Sequence, residues 1–123
     1  MKIVFSPMQK EHNPQAFFVA GNLHPHPEVP KRAEILFAAA QHSGLAAEEP
    51  IDYGLEHIKA VHTPRYLHYF ENIFTRWSRI KDATPEVIPG VHPDRRDCGY
   101  PASAEGQVGF HHADLSCPIG PNT

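Results

Sequence analysis

Proline is the residue that most limits what this chain can fold into. The sequence carries thirteen prolines, and six of them fall between residues 82 and 123. Proline fixes its own backbone and lacks an N–H, so it is excluded from helix interiors and central strands. Residues 82–123 also show no sustained hydrophobic period. Because compact domains rarely contain so long an irregular stretch, we expect an incomplete domain in which residues 82–123 form an irregular rim segment.

The start of the chain predicts a single good strand. Residues 1–6 contain the apolar run Ile3, Val4 and Phe5, which is typical of a strand covered on both faces. The nearest candidate partner, VIPGV at residues 87–91, is interrupted by proline. We therefore expect the first strand to lack a good neighbour within the chain.

Residues 7–29 are predicted to be a long loop, because prolines and a glycine divide them. Phe17, Phe18 and Val19 lie in the middle of this segment. An apolar loop tip is either tucked into the body or meets a partner or ligand, and the first alternative is the more common.

Residues 30–81 are predicted to be the helical part. Pro30 and Gly44 are suited to the start and the end of a first helix, and a short second helix is expected between Leu55 and Val61. A third helix follows the cap Thr63. Its aromatic and aliphatic residues, spaced three and four apart, are predicted to form a buried stripe rather than a ligand box: Leu67, Phe70, Phe74 and Trp77.

Composition excludes several functional classes. The net charge of −3 with neutral histidines leaves no basic footprint for nucleic acid. No apolar run approaches the length of a membrane span. The two cysteines, Cys98 and Cys117, do not form a dense disulfide framework, which favours a reducing, cytoplasmic setting.

The stretch GFHHADLSCP at residues 109–118 holds the most chemistry. His111 and His112 are followed by Asp114 and Cys117. A catalytic zinc site usually needs three protein ligands, and neighbours in an extended segment point to opposite faces. We therefore predict a surface or partly buried imidazole pair here rather than a metal site.

Two other groups are weaker candidates. Prolines hold HPHPE at residues 24–28 extended and spread its side chains apart. Cys98 lies near Arg95 and Arg96, which could favour a thiolate, but no partner base is identifiable.

The order of the segments is informative. HPHPEVPKRAEIL and VHTPRYLHYFENIFTRW, with the His62-x-x-x-Tyr66 spacing, resemble the N-terminal part of the histone deacetylase superfamily. EVIPGVHPDRR and AEGQVGF further resemble its acetylpolyamine amidohydrolase branch. The resemblance implies the N-terminal portion of an arginase-like and deacetylase-like α/β fold, in which helices flank a parallel sheet. It also implies that residues 1–123 are one segment of a single domain.

The resemblance further implies a zinc-bound water that attacks an acetyl amide. The family's zinc ligands include an Asp-x-His pair, its acid and base are two histidines after Pro-Gly, and a tyrosine after Gly-Gly polarises the carbonyl. This sequence contains no Asp-x-His, and Gly-Phe precedes its histidine pair. We therefore predict that this chain holds no catalytic and no metal-ligating residue, that zinc belongs to the complete parent enzyme, and that the chain alone is inactive.

The resemblance implies that this segment shapes the substrate site of the parent enzyme. Residues 7–29 match the loop that narrows the substrate entrance and supports a possible homodimer. Glu105 matches an acidic position that faces the cationic end of the substrate, a small acetylated amine. Phe17 and Phe18 are the other predicted substrate contacts; near Phe17 the polyamine enzymes carry an acidic residue, which leaves another acetylated amine or amide open.

Two other interpretations remain. A free-standing histidine-rich metal-binding module would require His24, His26, His111 or His112 to converge. A truncated, non-catalytic relative would bind a partner through the Phe17–Phe18 loop.

Overall fold

The computed structural model describes residues 2–93, 99–113 and 115–123. The candidate thiol Cys98, its neighbours Arg95 and Arg96, and Asp114 lie outside the described residues. The strands and helices are β1 (Ile3–Val4), a 3₁₀ helix (Pro7–Glu11), β2 (Ala16–Val19), β3 (Asn22–Pro25), α1 (Pro30–His42), β4 (Ala47–Glu48), α2 (Glu56–Lys59), α3 (Pro64–Trp77) and α4 (Ala104–His111). The three helices predicted between residues 30 and 81 are present.

β1 has a neighbour in the chain, so the expectation that it lacks one was wrong. It pairs in parallel with β4, with Ile3 opposite Ala47. The amide of Phe5 donates to the carbonyl of Glu48 at 3.0 Å, and the Phe5 ring stacks on Phe37 of α1 at 4.1 Å between centroids. Parallel strands require a crossover, which α1 supplies here. β4 is two residues long and reads as Ala-Glu, so its own sequence carries no strand signal.

The segment of residues 7–29 contains a hairpin that the loop prediction did not include. β2 and β3 pair antiparallel, with Phe17 opposite His24. Ala20 and Gly21 connect them with φ angles of 50° and 79°. Two positive φ angles are the signature of the tight turn that matches strand twist, although Asn-Gly is its usual sequence. The turn was therefore not predicted, because Ala20-Gly21 lacks the usual sequence signal of such a turn.

The core lies between α3, α4 and the segments on either side of α4. Its buried apolar residues are Tyr69, Ile73, Trp77, Val87, Val108 and Ile119. The predicted stripe of α3 was right for Trp77 and partly right for Phe74, which packs against this core. It was wrong for Phe70, which is exposed, because Tyr69 and Ile73 face the core instead.

Residues 82–123 were predicted to be irregular, but they contain the helix α4. Ser103 caps this helix, and its hydroxyl accepts from the amide of Gly106. Arg76 of α3 donates to the side chain of Gln107 and, at 2.9 Å, to the carbonyl of Ala102. The helix went unpredicted because its two glycines have low helix propensity and its apolar residues show no helical period.

One apolar side of α1 is largely uncovered. Ile35 is 58% exposed and Leu36 is 60% exposed. We expect the isolated 123-residue chain to be marginally stable, below the roughly 5–15 kcal/mol typical of domains, because these faces lose the stabilisation of burial. Calorimetry should show a broad, weakly cooperative transition, accompanied by binding of a hydrophobic dye. A sharp transition in a monodisperse monomer that binds no dye would contradict this prediction.

Candidate functional site

One open groove collects much of the chemistry of the chain. Its volume is about 570 Å³, and four histidines contribute to its lining. They come from the end of the 3₁₀ helix, the segment after β3 and the end of α4. We call it the histidine groove, and its side chains include His12, Phe17, His26, Glu28, Tyr66, Phe70, His111, His112 and Cys117.

His111 and His112 lie on the same groove, contrary to the expectation of an extended segment with opposed side chains. His111 is the last residue of α4 and His112 is its C-cap. Successive positions on a helix differ by only about 100°, so neighbours can share one side of a cleft. The helix was not predicted, and this arrangement could not be predicted without it.

His111 is held in an aromatic environment. Its ring stacks on Tyr69 at 4.3 Å between centroids, and its Nε2 lies 3.0 Å from the hydroxyl of Tyr100. Burial lowers the pKa of His111, and the nearby Arg65 lowers it further. Burial also raises the pKa of Tyr100, against the opposing effect of Arg65 and Arg76. A neutral imidazole and a protonated phenol can share one hydrogen bond here, and the tautomer of His111 decides which of the two donates.

The lowered pKa of His111 makes the free energy of unfolding depend on pH in a defined direction. The unfolded chain takes up the proton more readily than the folded chain, so stability falls as the pH falls below the unfolded value of about 6.5. The neutral ring therefore favours the packing of α4 on α3 near neutral pH.

Tyr69 is the buried partner of this histidine. Only 1% of its surface is exposed, and its hydroxyl has no hydrogen-bond partner among the residues that the structure describes. Burial raises the pKa of the Tyr69 hydroxyl, and the nearby Tyr66 and Tyr100 raise it further. The phenol stays protonated, so this residue is no base.

Of the three predicted substrate contacts, only Phe17 lies on the histidine groove. Phe17 lines the histidine groove, and its ring meets His26 edge-on at 5.3 Å. Phe18 is half-buried, and its amide donates to the carbonyl of Leu115 at 3.5 Å, but its side chain is not part of the groove lining. Glu105 lies exposed in the first turn of α4, outside the groove. The sequence reasoning missed His12, Tyr66 and Cys117 as groove residues, since only the fold brings them together.

The described residues do not fit a metal ion. In residues 2–93, 99–113 and 115–123, no group of three histidine, cysteine or carboxylate side chains could hold one. His26, His111 and His112 line the same groove, and among the described residues they do not form such a group. Cys117 is an exposed free thiol.

Known proteins resemble this chain over its whole length. An acetylpolyamine amidohydrolase of Burkholderia pseudomallei (strain 1710b) is 34% identical over 124 residues, which cover 100% of this chain and 36% of that protein. The acetylpolyamine amidohydrolase of Mycoplana ramosa is 32% identical over 125 residues, with the same coverage. No sequence-family model matches. In the described chain no helix is both long and apolar enough to span a membrane.

The structural comparison agrees with the sequence comparison. A crystal structure of acetylpolyamine aminohydrolase from Burkholderia pseudomallei superposes with a TM-score of 0.92 at 34% identity, covering 100% of this chain and 36% of that one. The chain thus spans 36% of the length of the relatives it matches. The resemblance to the acetylpolyamine amidohydrolase branch is confirmed, and the α/β fold, with its parallel strand pair and helices, is a partial, N-terminal portion of that fold.

Proposed function

We propose that this chain is the N-terminal segment of a zinc-dependent amide hydrolase that removes the acetyl group from a small acetylated amine. The observation that supports this most is the match of the whole chain, in sequence and in structure, to 36% of an acetylpolyamine aminohydrolase. In this proposal the segment shapes the substrate entrance. Zinc and the groups that act on the acetyl amide belong to the complete enzyme, because the described residues offer no ligand set.

The histidine groove supports the role in shaping the entrance. Phe17, Tyr66 and Phe70 give it apolar walls, and its one carboxylate among the described residues, Glu28, is already engaged. The guanidinium of Arg32 lies 3.1 Å from this carboxylate, and His12 lies 3.7 Å from it. An apolar wall at Phe17 favours an acetylated amine or amide of lower charge than a polyamine, because no free carboxylate there would attract a second ammonium group.

Residues 7–29 are also the proposed homodimer contact. Val19 and Leu23 on the β2–β3 hairpin are 47% and 60% exposed, which leaves apolar surface at its tip. With only two cysteines in the sequence, we place the enzyme in a reducing, cytoplasmic setting, without nucleic acid or membrane as a partner.

A chimera tests the proposed function. The matching 36% of the Burkholderia pseudomallei enzyme would be replaced by this chain and assayed with N-acetylputrescine, with an acetyl-lysine peptide and with an uncharged acetyl amide. We expect an active deacetylase whose preference moves towards the less charged substrates. A folded chimera that hydrolyses none of the three would refute the proposal, and an unreplaced enzyme serves as the control.

The chimera also tests Glu105. Changing Glu105→Gln keeps the shape and removes the charge, so kcat/KM for the cationic substrate should fall up to about several-fold, while the uncharged acetyl amide is unaffected. The loss should shrink at high salt, since salt screens exposed charges. An equal loss on both substrates would show that Glu105 supports the first turn of α4 instead, and no loss on either would show that it does not meet the substrate.

A further inference from the structure

His26 is bound at both of its ring nitrogens. The amide of Glu28 donates to Nδ1 at 3.1 Å, which requires Nδ1 to be unprotonated. Nε2 then carries the proton and donates to the carbonyl of Ser116 at 3.3 Å. The ring is therefore a neutral imidazole with a defined tautomer, and both of its hydrogen bonds depend on that tautomer.

These bonds join two distant parts of the chain. The backbone of His26 donates to Gln15 at the base of the hairpin, and the amide of Phe18 donates to Leu115. The imidazole adds the bond to Ser116 and presents its edge to the ring of Phe17. The imidazole of His26 is therefore one of the groups that position Phe17 on the histidine groove, beside the strand pairing of Phe17 with His24.

We propose that His26 is a positioning residue that fastens the β2–β3 hairpin and the turn at residues 26–28 to residues 115 and 116, and that protonation of its ring releases this turn. A charged ring carries a proton on Nδ1, which faces the amide proton of Glu28 and ends that bond. The turn at residues 26–28 then loses its acceptor, and the imidazole beside Phe17 is held only through the bond from Nε2 to Ser116. The link to substrate rests on the proposed function, since Phe17 is there a substrate contact.

The groups around His26 are mixed in charge. The carboxylate of Glu28 lies on the same turn but is held by Arg32 of α1. His12 contributes from the end of the 3₁₀ helix, and His24 lies across the ring of Phe17.

His111 and His112 at the end of α4 and the thiol of Cys117 also line the groove. Burial lowers the pKa of His111, and several other titratable groups line the groove, so variants of His26 alone are needed to separate its effect from theirs.

Two variants separate the roles of the two ring nitrogens of His26. His26→Asn places an oxygen where Nδ1 lies, so it keeps an acceptor for the Glu28 amide that does not titrate. His26→Gln reaches the position of Nε2 and keeps the donor to Ser116, but it removes the acceptor. Neither change adds volume to the groove.

Hydrogen exchange measured by NMR on the 123-residue chain tests the proposal between about pH 8 and 5. In the unchanged chain, protection of the Glu28 amide, corrected for intrinsic exchange, should fall by about tenfold or more over this range as the pH is lowered, because a proton at Nδ1 removes the acceptor of that amide. In His26→Asn the protection should not depend on pH, and in His26→Gln it should be low throughout. The Ile73 amide in α3 reports global unfolding in the same sample.

A Glu28 amide whose protection is independent of pH in the unchanged chain would overturn the proposal, as would the same pH response in His26→Asn. In the chimera, the KM of the unchanged enzyme for an acetylated substrate should rise relative to the KM of His26→Asn as the pH falls. A chimera without activity would refute the proposed function while the exchange result still decides the role of His26.

Discussion

Replacing Gly109 by alanine is expected to detach α4 from the rest of the chain. An ideal Cβ at this position would overlap the carbonyl oxygen of Val91, and it would lie 2.9 Å from the Val91 carbonyl carbon and 3.4 Å from the Cα of His92. These are backbone atoms, which cannot rotate out of the way as a side chain can. Overpacking in a core usually costs about 1–3 kcal/mol, and a backbone overlap of this size should reach or exceed the upper limit.

Urea denaturation of the chimera measures this effect, with Gly90→Ala in the same chimera as the matched control. A Cβ at Gly90 meets nothing within 4 Å, so this control should change stability by less than about 1 kcal/mol. Displacing α4 also displaces Val108 from the core and His111 from its stack on Tyr69. The near-ultraviolet circular dichroism of Gly109→Ala should therefore weaken. Equal stability of the two variants would contradict the packing described for α4.

Local sequence signals predicted α1 and α3 because both helices carry their own boundaries. Pro30 and Gly44 bound the first helix, and the hydroxyl of Thr63 accepts from the amide of Tyr66 as a cap should. The burial of α3 was harder to predict. Its stripe turns towards Tyr69 and Ile73 because α4, which the sequence did not reveal, packs on that side.

The elements that were missed are stabilised by distant contacts. β4 is two residues with no strand signal, and it is ordered by the amides of Ile3 and Phe5. α4 contains two glycines, and one of them is required because the backbone of Val91 lies against it. Propensity measures what a segment prefers alone, so it fails where tertiary contacts decide.

The histidine groove, too, is formed by contacts between distant parts of the chain. His12, Tyr66 and His112 come from separate segments, and nothing in their local sequence relates them. Phe17 could be singled out because a large apolar residue in a proline-rich loop needs a neighbour, and its neighbour is His26. The resemblance to known deacetylases predicts an entrance role for this loop, whereas the hydrogen bonds of His26 are seen only in the structure.

The second large effect expected is the complete lack of deacetylase activity in the isolated chain. The sequence contains no Asp-x-His, and the described residues form no group that could hold a metal. His111 and His112 lie on one groove, but they follow Gly-Phe, and His111 is committed to Tyr69 and Tyr100. Without a zinc site there is no activated water to attack an amide.

We therefore expect the chain to hydrolyse N-acetylputrescine and acetyl-lysine peptides no faster than buffer does, and the chimera to exceed that rate by at least about 10⁶-fold, the lower end of enzymatic rate enhancement. Metal analysis after dialysis should find no stoichiometric zinc in the chain. His111→Phe is the matched test of the histidine pair, since it keeps an aromatic ring against Tyr69 and removes the imidazole. Stoichiometric zinc in the chain, with turnover that a chelator abolishes and His111→Phe reduces, would show that the pair is catalytic after all.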